Sequence, residues 1–174
     1  AAMETGEYQT AIRWLEQLPH EGETGKTLNQ AVYAYADQLE QEGQKEAAAT
    51  EFYSLGGYQD AQARGNALEY ALAMEEKAAD VESALERFEL LGDYQDAKAQ
   101  AEACRYAIAQ KAFEQGQIED ALEGFSALGD FSDAKTQAQR CRYALAQAAY
   151  EQGDYENAAA LFEACGAYLD AEDG

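Results

Sequence analysis

A five-residue turn motif returns along this chain at an almost constant interval, and that interval limits the fold more than any other feature. It reads GYQDA from Gly57, DYQDA from Asp93, DFSDA from Asp130 and AYLDA from Ala167. Its aspartates, Asp60, Asp96, Asp133 and Asp170, are separated by 36, 37 and 37 residues. A second landmark, Tyr-Ala-x-Ala, starts at Tyr33, Tyr70, Tyr106 and Tyr143, with separations of 37, 36 and 37. Two independent landmarks on one period define a repeat array, in which each unit buries its apolar face against its neighbours.

The register divides residues 1–174, read as a single array, into a partial repeat and loop over 1–25, four repeats over 26–59, 60–95, 96–132 and 133–169, and the start of a further helix over 170–174. AAMETGEYQTA from Ala1 lies over AAYEQGDYENA from Ala148. The chain is therefore expected to start and stop inside repeats, as a piece of a longer solenoid would. End repeats of that kind are expected to be open to self-association.

Each repeat reads as a long helix followed by a short one. Ala, Glu, Gln and Tyr dominate, Pro19 is the single proline, and no run of alternating β-branched residues could make a strand. The pattern predicts long helices over about Asp96–Gln115 and Asp133–Gln152, and short ones over about Ile118–Leu128 and Glu156–Cys165. Gly43, Gly116 and Gly153 mark the breaks inside repeats, and Gly56, Gly92, Gly129 and Gly166 end the short helices. The second repeat has Ala78-Ala79-Asp80 at its break and is one residue shorter.

On the short helices Ala84, Phe88, Leu91, then Ala121, Phe125, Leu128, then Ala158, Phe162, Cys165 fall at i, i+4, i+7, an inter-helix core stripe. Ala36, Ala73, Ala109 and Ala146 keep the long helices small where two backbones approach. The turn aspartates are expected to cap the next long helix by accepting from its first amides. The aromatics two places earlier, Tyr58, Tyr94, Phe131 and Tyr168, are expected to staple its entry. A metal between Asp93 and Asp96, or Asp130 and Asp133, is the competing reading, and such short pairs offer too few oxygens for calcium.

Charge excludes some functions. Twelve Lys and Arg against 34 Asp and Glu leave −22, and the basic residues form no stripe, so a nucleic-acid backbone would be repelled. Solvated helix faces account for the acidity, with a basic partner as the alternative. No apolar run reaches the ~18 residues a bilayer span needs, so membrane insertion is not expected. Cys104, Cys141 and Cys165 show no metal-ligand spacing. Cys104 and Cys141 hold the same repeat position, ~9 Å apart on stacked helices and too far for a disulfide, so they read as small buried apolar residues. Such thiols suit a reducing interior and favour a cytoplasmic setting, with a surface or extracytoplasmic place in a longer protein as the alternative.

The run GETGKT, Gly22–Thr27, ends like a phosphate-cradling loop, but His20 stands where the pattern needs its first glycine and no strand precedes it. It reads instead as a loop, with Thr27 as N-cap and Gln30 completing a capping box. His20, beside Pro19, has no nucleophile placed next to it and reads as a solvated side chain. Adjacent carboxylates such as Glu75-Glu76 and Glu119-Asp120 are ordinary on helix surfaces of so acidic a chain. No catalytic constellation and no cofactor motif emerges, so an enzyme is not expected.

From Tyr143 to Phe162 the chain resembles a tetratricopeptide repeat: small Ala146 stands where that family usually has glycine, followed by Gly153-Asp154-Tyr155, Ala158 and Phe162 in the family's order. Weaker copies cover nearly the whole sequence. Two departures stand out. The family unit is shorter, about 34 residues, and ends near a proline that the Gly-x-aromatic-x-Asp-Ala turn replaces here. Arg105 and Arg142 occupy its usual aromatic position.

The resemblance implies an all-α fold, a right-handed α-solenoid of stacked antiparallel helix pairs whose long helices line a concave face. On that fold Tyr70, Tyr106 and Tyr143 would point inward, with Met74, Gln110 and Gln147 one turn on, then Phe113 and Tyr150, and Glu114 and Glu151. Tyrosine and amide groups on rigid helices suit an extended peptide or a helix. The competing reading packs the tyrosine ladder between neighbouring long helices. The expected function is a noncatalytic protein- or peptide-binding scaffold, with a spacer or regulatory arm of a larger enzyme or membrane protein, or a sensor of a small ligand or signalling peptide, as alternatives.

Overall fold

The computed structural model describes residues 5–19 and 21–166. His20, Tyr168 and Asp170, and the expected overlaps over residues 1–4 and 167–174, lie outside the described residues. Among those described the fold is all-helical, with nine helices and no strand. They are α1 (Thr5–Leu15), α2 (Glu23–Gln41), α3 (Lys45–Ser54), α4 (Ala61–Glu76), α5 (Val81–Leu91), α6 (Ala97–Glu114), α7 (Ile118–Leu128), α8 (Ala134–Glu151) and α9 (Tyr155–Cys165). Long and short helices alternate from α2 onward, and α6 to α9 each lie within one or two residues of the span the sequence predicts.

The chain forms two compact units, residues 1–79 with 87–97, and residues 80–86 with 98–174. In the first, α1 packs on α2, α2 on α3 and α3 on α4; in the second, α7 packs on α8 and α8 on α9. Neighbour-on-neighbour packing of helix pairs is the architecture of an α-solenoid.

Small residues set how closely the helices pack. In the first unit Ala36, Ala48 and Phe52 are fully buried in a core shared with Tyr35, Leu39 and Leu68. In the second, Ala109, Ala121, Phe125, Ala138 and Cys141 build the equivalent core. One tight approach is between α6 and α7, where a Cβ added at Gly124 would lie 2.8 Å from Ala109 Cβ. Cys104, Cys141 and Cys165 are buried and unbridged, as their repeat positions predict. Burial pushes the thiols of Cys141 and Cys165 above their ordinary range.

The turns differ from expectation in two ways. Asp60 and Asp133 hold the N-cap places of α4 and α8, yet neither side chain caps its helix. Their ψ angles are 15° and 22°, outside the extended region from which a capping carboxylate reaches the second or third amide. The first amide of the helix is instead satisfied by the turn itself: Ala61 N–H donates to the Tyr58 carbonyl and Ala134 N–H to the Phe131 carbonyl, each at 3.0 Å. Closing so tight a turn forces the middle residue into the left-handed region, φ 48° at Gln59, 49° at Gln95 and 50° at Ser132. Asp154 does cap a helix, accepting from Asn157 N–H at 3.3 Å, and Asp80 accepts from Ser83 N–H at 3.1 Å.

Thr27 is the second correction. Helix α2 already starts at Glu23, after Gly22 with φ 61° and ψ −127°, so residues 23–27 are helical and Thr27 sits inside the helix rather than capping it. Its hydroxyl donates to the Glu23 carbonyl at 2.8 Å. The pairing of positive φ with ψ −127° at Gly22 is one that residues with a Cβ rarely adopt, and Glu23 places a carboxylate at the positive end of the helix. Together they extend the helix one turn beyond the expected cap.

Candidate interaction surface

The two repeat landmarks bond to each other. Tyr33, Tyr70 and Tyr106 donate their hydroxyls to Asp60, Asp96 and Asp133, each at 2.5 Å. Each ring also meets two aromatics, one on the following short helix and one in the following turn. For Tyr70 these are Phe88 at 5.8 Å and Tyr94 at 6.0 Å; for Tyr106, Phe125 at 5.4 Å and Phe131 at 6.0 Å between centroids. The contacts with Phe88, Tyr94 and Phe125 are edge-to-face and that with Phe131 is tilted; edge-to-face contacts at this spacing are favourable beyond the area they bury. The ladder thus packs each long helix onto the next short helix and turn, a third arrangement besides an open groove and long-helix to long-helix packing.

These bonds move proton affinities in opposite directions. Donation to Asp133, then burial, raises the Tyr106 hydroxyl above its usual range. Acceptance from Tyr106, then from Gln137, holds the Asp133 carboxyl below the usual carboxylate range. Tyr33 and Tyr70 are raised for the same leading reason.

The remaining expected site residues divide by exposure. On α4, Met74 stands 45 % exposed. On α6, Gln110 and Glu114 are exposed and linked, the amide donating to the carboxylate at 3.2 Å, while half-buried Phe113 carries the Arg140 guanidinium 5.4 Å over its ring. On α8, Tyr143, Gln147, Tyr150 and Glu151 line one pocket of about 380 Å³ with Phe162 of α9. Tyr150 is 61 % exposed and forms an edge-to-face pair with Tyr155 at 5.3 Å.

Two further clusters were not legible in the repeat pattern, because they break it. Arg87 bonds Glu46 at 2.8 Å, Glu69 at 2.6 Å and Glu76 at 2.7 Å, and Glu69 is buried. Glu69 takes the repeat position that Arg105 and Arg142 hold later, so the sign of the charge is inverted. Arg64 binds Tyr33, Asp37 and Glu40 and lies 4.4 Å over the Phe52 ring. Burial opposes its charge, and these bonds more than restore it. Both arginines are saturated by their own chain and act structurally. No cluster of three or more His, Cys, Asp or Glu suited to a metal is found among the described residues. No described helix is long and apolar enough to cross a membrane.

No family model and no curated protein matches the chain. Among solved structures it is similar to nearly identical TPR-like repeats of a Podosopora anserina protein described as a kinesin light chain, and to a variant of that protein. Both are 18% identical, cover 96% or 97% of this chain and 89% of the other, and give a TM-score of 0.24. A score this low carries no functional argument, and the fold rests on the helices themselves.

Proposed function

We propose that the chain is a noncatalytic module that binds a protein or peptide on the exposed faces of its long helices. The observation that supports this best is the pocket on α8, where Tyr143, Gln147, Tyr150 and Glu151 converge around Phe162. Aromatic area, an amide and a carboxylate on a rigid helix are what a peptide or helix contact uses, and the aromatic residues are the type that dominates such interfaces. A net charge of −22 favours a basic partner.

The test is selection from a displayed peptide library, followed by calorimetry with the selected peptides. Gln147→Ala and Tyr150→Ala replace exposed side chains, and unchanged circular dichroism shows that the fold survives. Binding should weaken at least tenfold in these variants. Failure of the library to yield any binder, or binders indifferent to both substitutions, would count against the reading.

A further inference from the structure

Arg140 presents one side of its guanidinium to solvent. It is exposed on α8, lies 5.4 Å over the Phe113 ring of α6, and donates from Nη1 to the Gln137 side-chain oxygen at 2.9 Å. Gln137 in turn donates to one oxygen of Asp133 at 2.7 Å, and Tyr106 donates to the other at 2.5 Å. The nearby carboxylate is thus engaged by an amide and a hydroxyl, and it acts on Arg140 through space. A guanidinium is a fork of N–H donors. Among the described residues only the Nη1 side of this fork is bonded, and no carboxylate forms an ion pair with it.

Two other arginines of the chain show what such an edge takes. Arg64 lies 4.4 Å over the Phe52 ring, and its Nε, at 3.1 Å, and its Nη2 both donate to Glu40. Arg87 donates from the same two nitrogens to the two oxygens of Glu76, at 2.7 and 3.0 Å. In both, the Nε–Nη2 edge meets a carboxylate, the forked pairing that suits a planar guanidinium. Arg140 is held as Arg64 is, over a phenylalanine ring, with that edge turned outward. Its repeat position also stays accessible when a further repeat follows. Three residues before the ladder tyrosine, Gln30 and Ala67 are exposed and Ala103 is half-buried.

We propose that the Nε–Nη2 edge of Arg140 receives an aspartate or glutamate side chain of a protein partner lying along the exposed faces of α6 and α8. The proposal rests on the binding-module reading above and adds one defined contact to it. A chain of charge −22 draws a segment that is basic as a whole, and a single carboxylate on that segment fixes its register at Arg140. The stack on Phe113 and the bond to Gln137 hold the guanidinium in place, so little freedom is lost on pairing. A carboxylate also meets less repulsion from so acidic a chain than a phosphate dianion would.

The test is a pair of selections from one displayed peptide library, on the parent chain and on an Arg140→Glu chain, followed by calorimetry with the selected peptides made with amidated C-termini. Peptides selected on the parent should share an Asp or Glu whose change to Asn or Gln weakens binding about tenfold. Arg140→Gln should cost a similar factor, and the two changes together should cost little more than either alone. Arg140→Lys keeps the charge but not the fork, and should still bind several-fold more weakly than the parent. Peptides selected on Arg140→Glu should carry Lys or Arg at the shared place. Unchanged circular dichroism shows that each variant is folded; should Arg140→Gln disturb the fold, Arg140→Lys takes its place in the comparison. Parent-selected peptides that bind the Arg140→Gln chain as tightly as the parent, or that share no carboxylate, would overturn the contact and leave the module reading intact. A library that yields no binder to the parent would overturn that reading and the contact with it.

Discussion

The Tyr106 hydroxyl donates to the Asp133 carboxylate at 2.5 Å, tying α6 to the turn that opens α8. Tyr33 with Asp60 and Tyr70 with Asp96 repeat the bond. A Tyr106→Phe chain should keep the ring contacts and lose the bond. The expected cost is about 1 kcal/mol, since both partners can fall back on solvent, which corresponds to a Tm drop of roughly 2–4 °C for a chain of this size. A thermal melt unchanged from the parent would show that the bond contributes nothing.

The same pair fixes a pH dependence with two limbs. The Asp133 carboxyl is depressed in the fold, so its stabilisation is present above the unfolded value of about 3.9 and lost as pH falls through the lower folded value. The Tyr106 hydroxyl is raised, so its stabilisation is present below about 10 and lost as pH rises through the higher folded value. Urea midpoints measured from pH 2 to 12 should be flat between the limbs for these two groups. Tyr106→Phe should reduce the acid limb and remove that tyrosine's share of the alkaline one.

Glu69 is a buried carboxylate held by Arg87 at 2.6 Å. Arg87→Met should strand that charge and destabilise the chain by about 3 kcal/mol. Adding Glu69→Gln should recover part of the loss, because a neutral amide is cheaper to bury than an unpaired carboxylate. A double variant no better than the single one would place the cost in lost packing of the arginine stem instead.

Gly124 faces Ala109 so closely that an added Cβ would lie 2.8 Å from its Cβ. Gly124→Ala gains about 1 kcal/mol of helix propensity, but rigid helix side chains cannot yield, and the net effect should be a loss of about 1–2 kcal/mol. Pairing it with Ala109→Gly should relieve the clash, so the double variant should lose less than the two single losses summed. Gly124→Ala alone raising the denaturation midpoint would contradict the close approach.

The helices and their core were legible because period, glycine punctuation and the Ala-x-x-x-Phe stripe all report packing between neighbours. Gly116, at φ 78°, and Gly129, at φ 56°, stop their helices where the pattern places the breaks. What escaped was pairing between residues of different helices. Tyr106 and Asp133 were each visible as a repeated residue, but their partnership, 27 positions apart, needs the turn geometry. Capping propensity therefore pointed Asp133 at the wrong donor. Arg87 with Glu69 escaped for the opposite reason, since departures from a repeat carry no period. For the surface, Gln147, Tyr150 and Glu151 meet at one pocket with Tyr143, whereas the rings of Tyr70 and Tyr106 are engaged by their own chain.

That separation of ladder from surface is tested most directly by one paired measurement on Tyr106→Phe and Tyr150→Ala: the thermal midpoint of each, and the affinity of each for a library-selected peptide. Tyr106→Phe should melt lower and bind as the parent does, while Tyr150→Ala should melt as the parent does and bind at least tenfold more weakly. The reverse pattern, with binding lost at Tyr106 and stability lost at Tyr150, would contradict it.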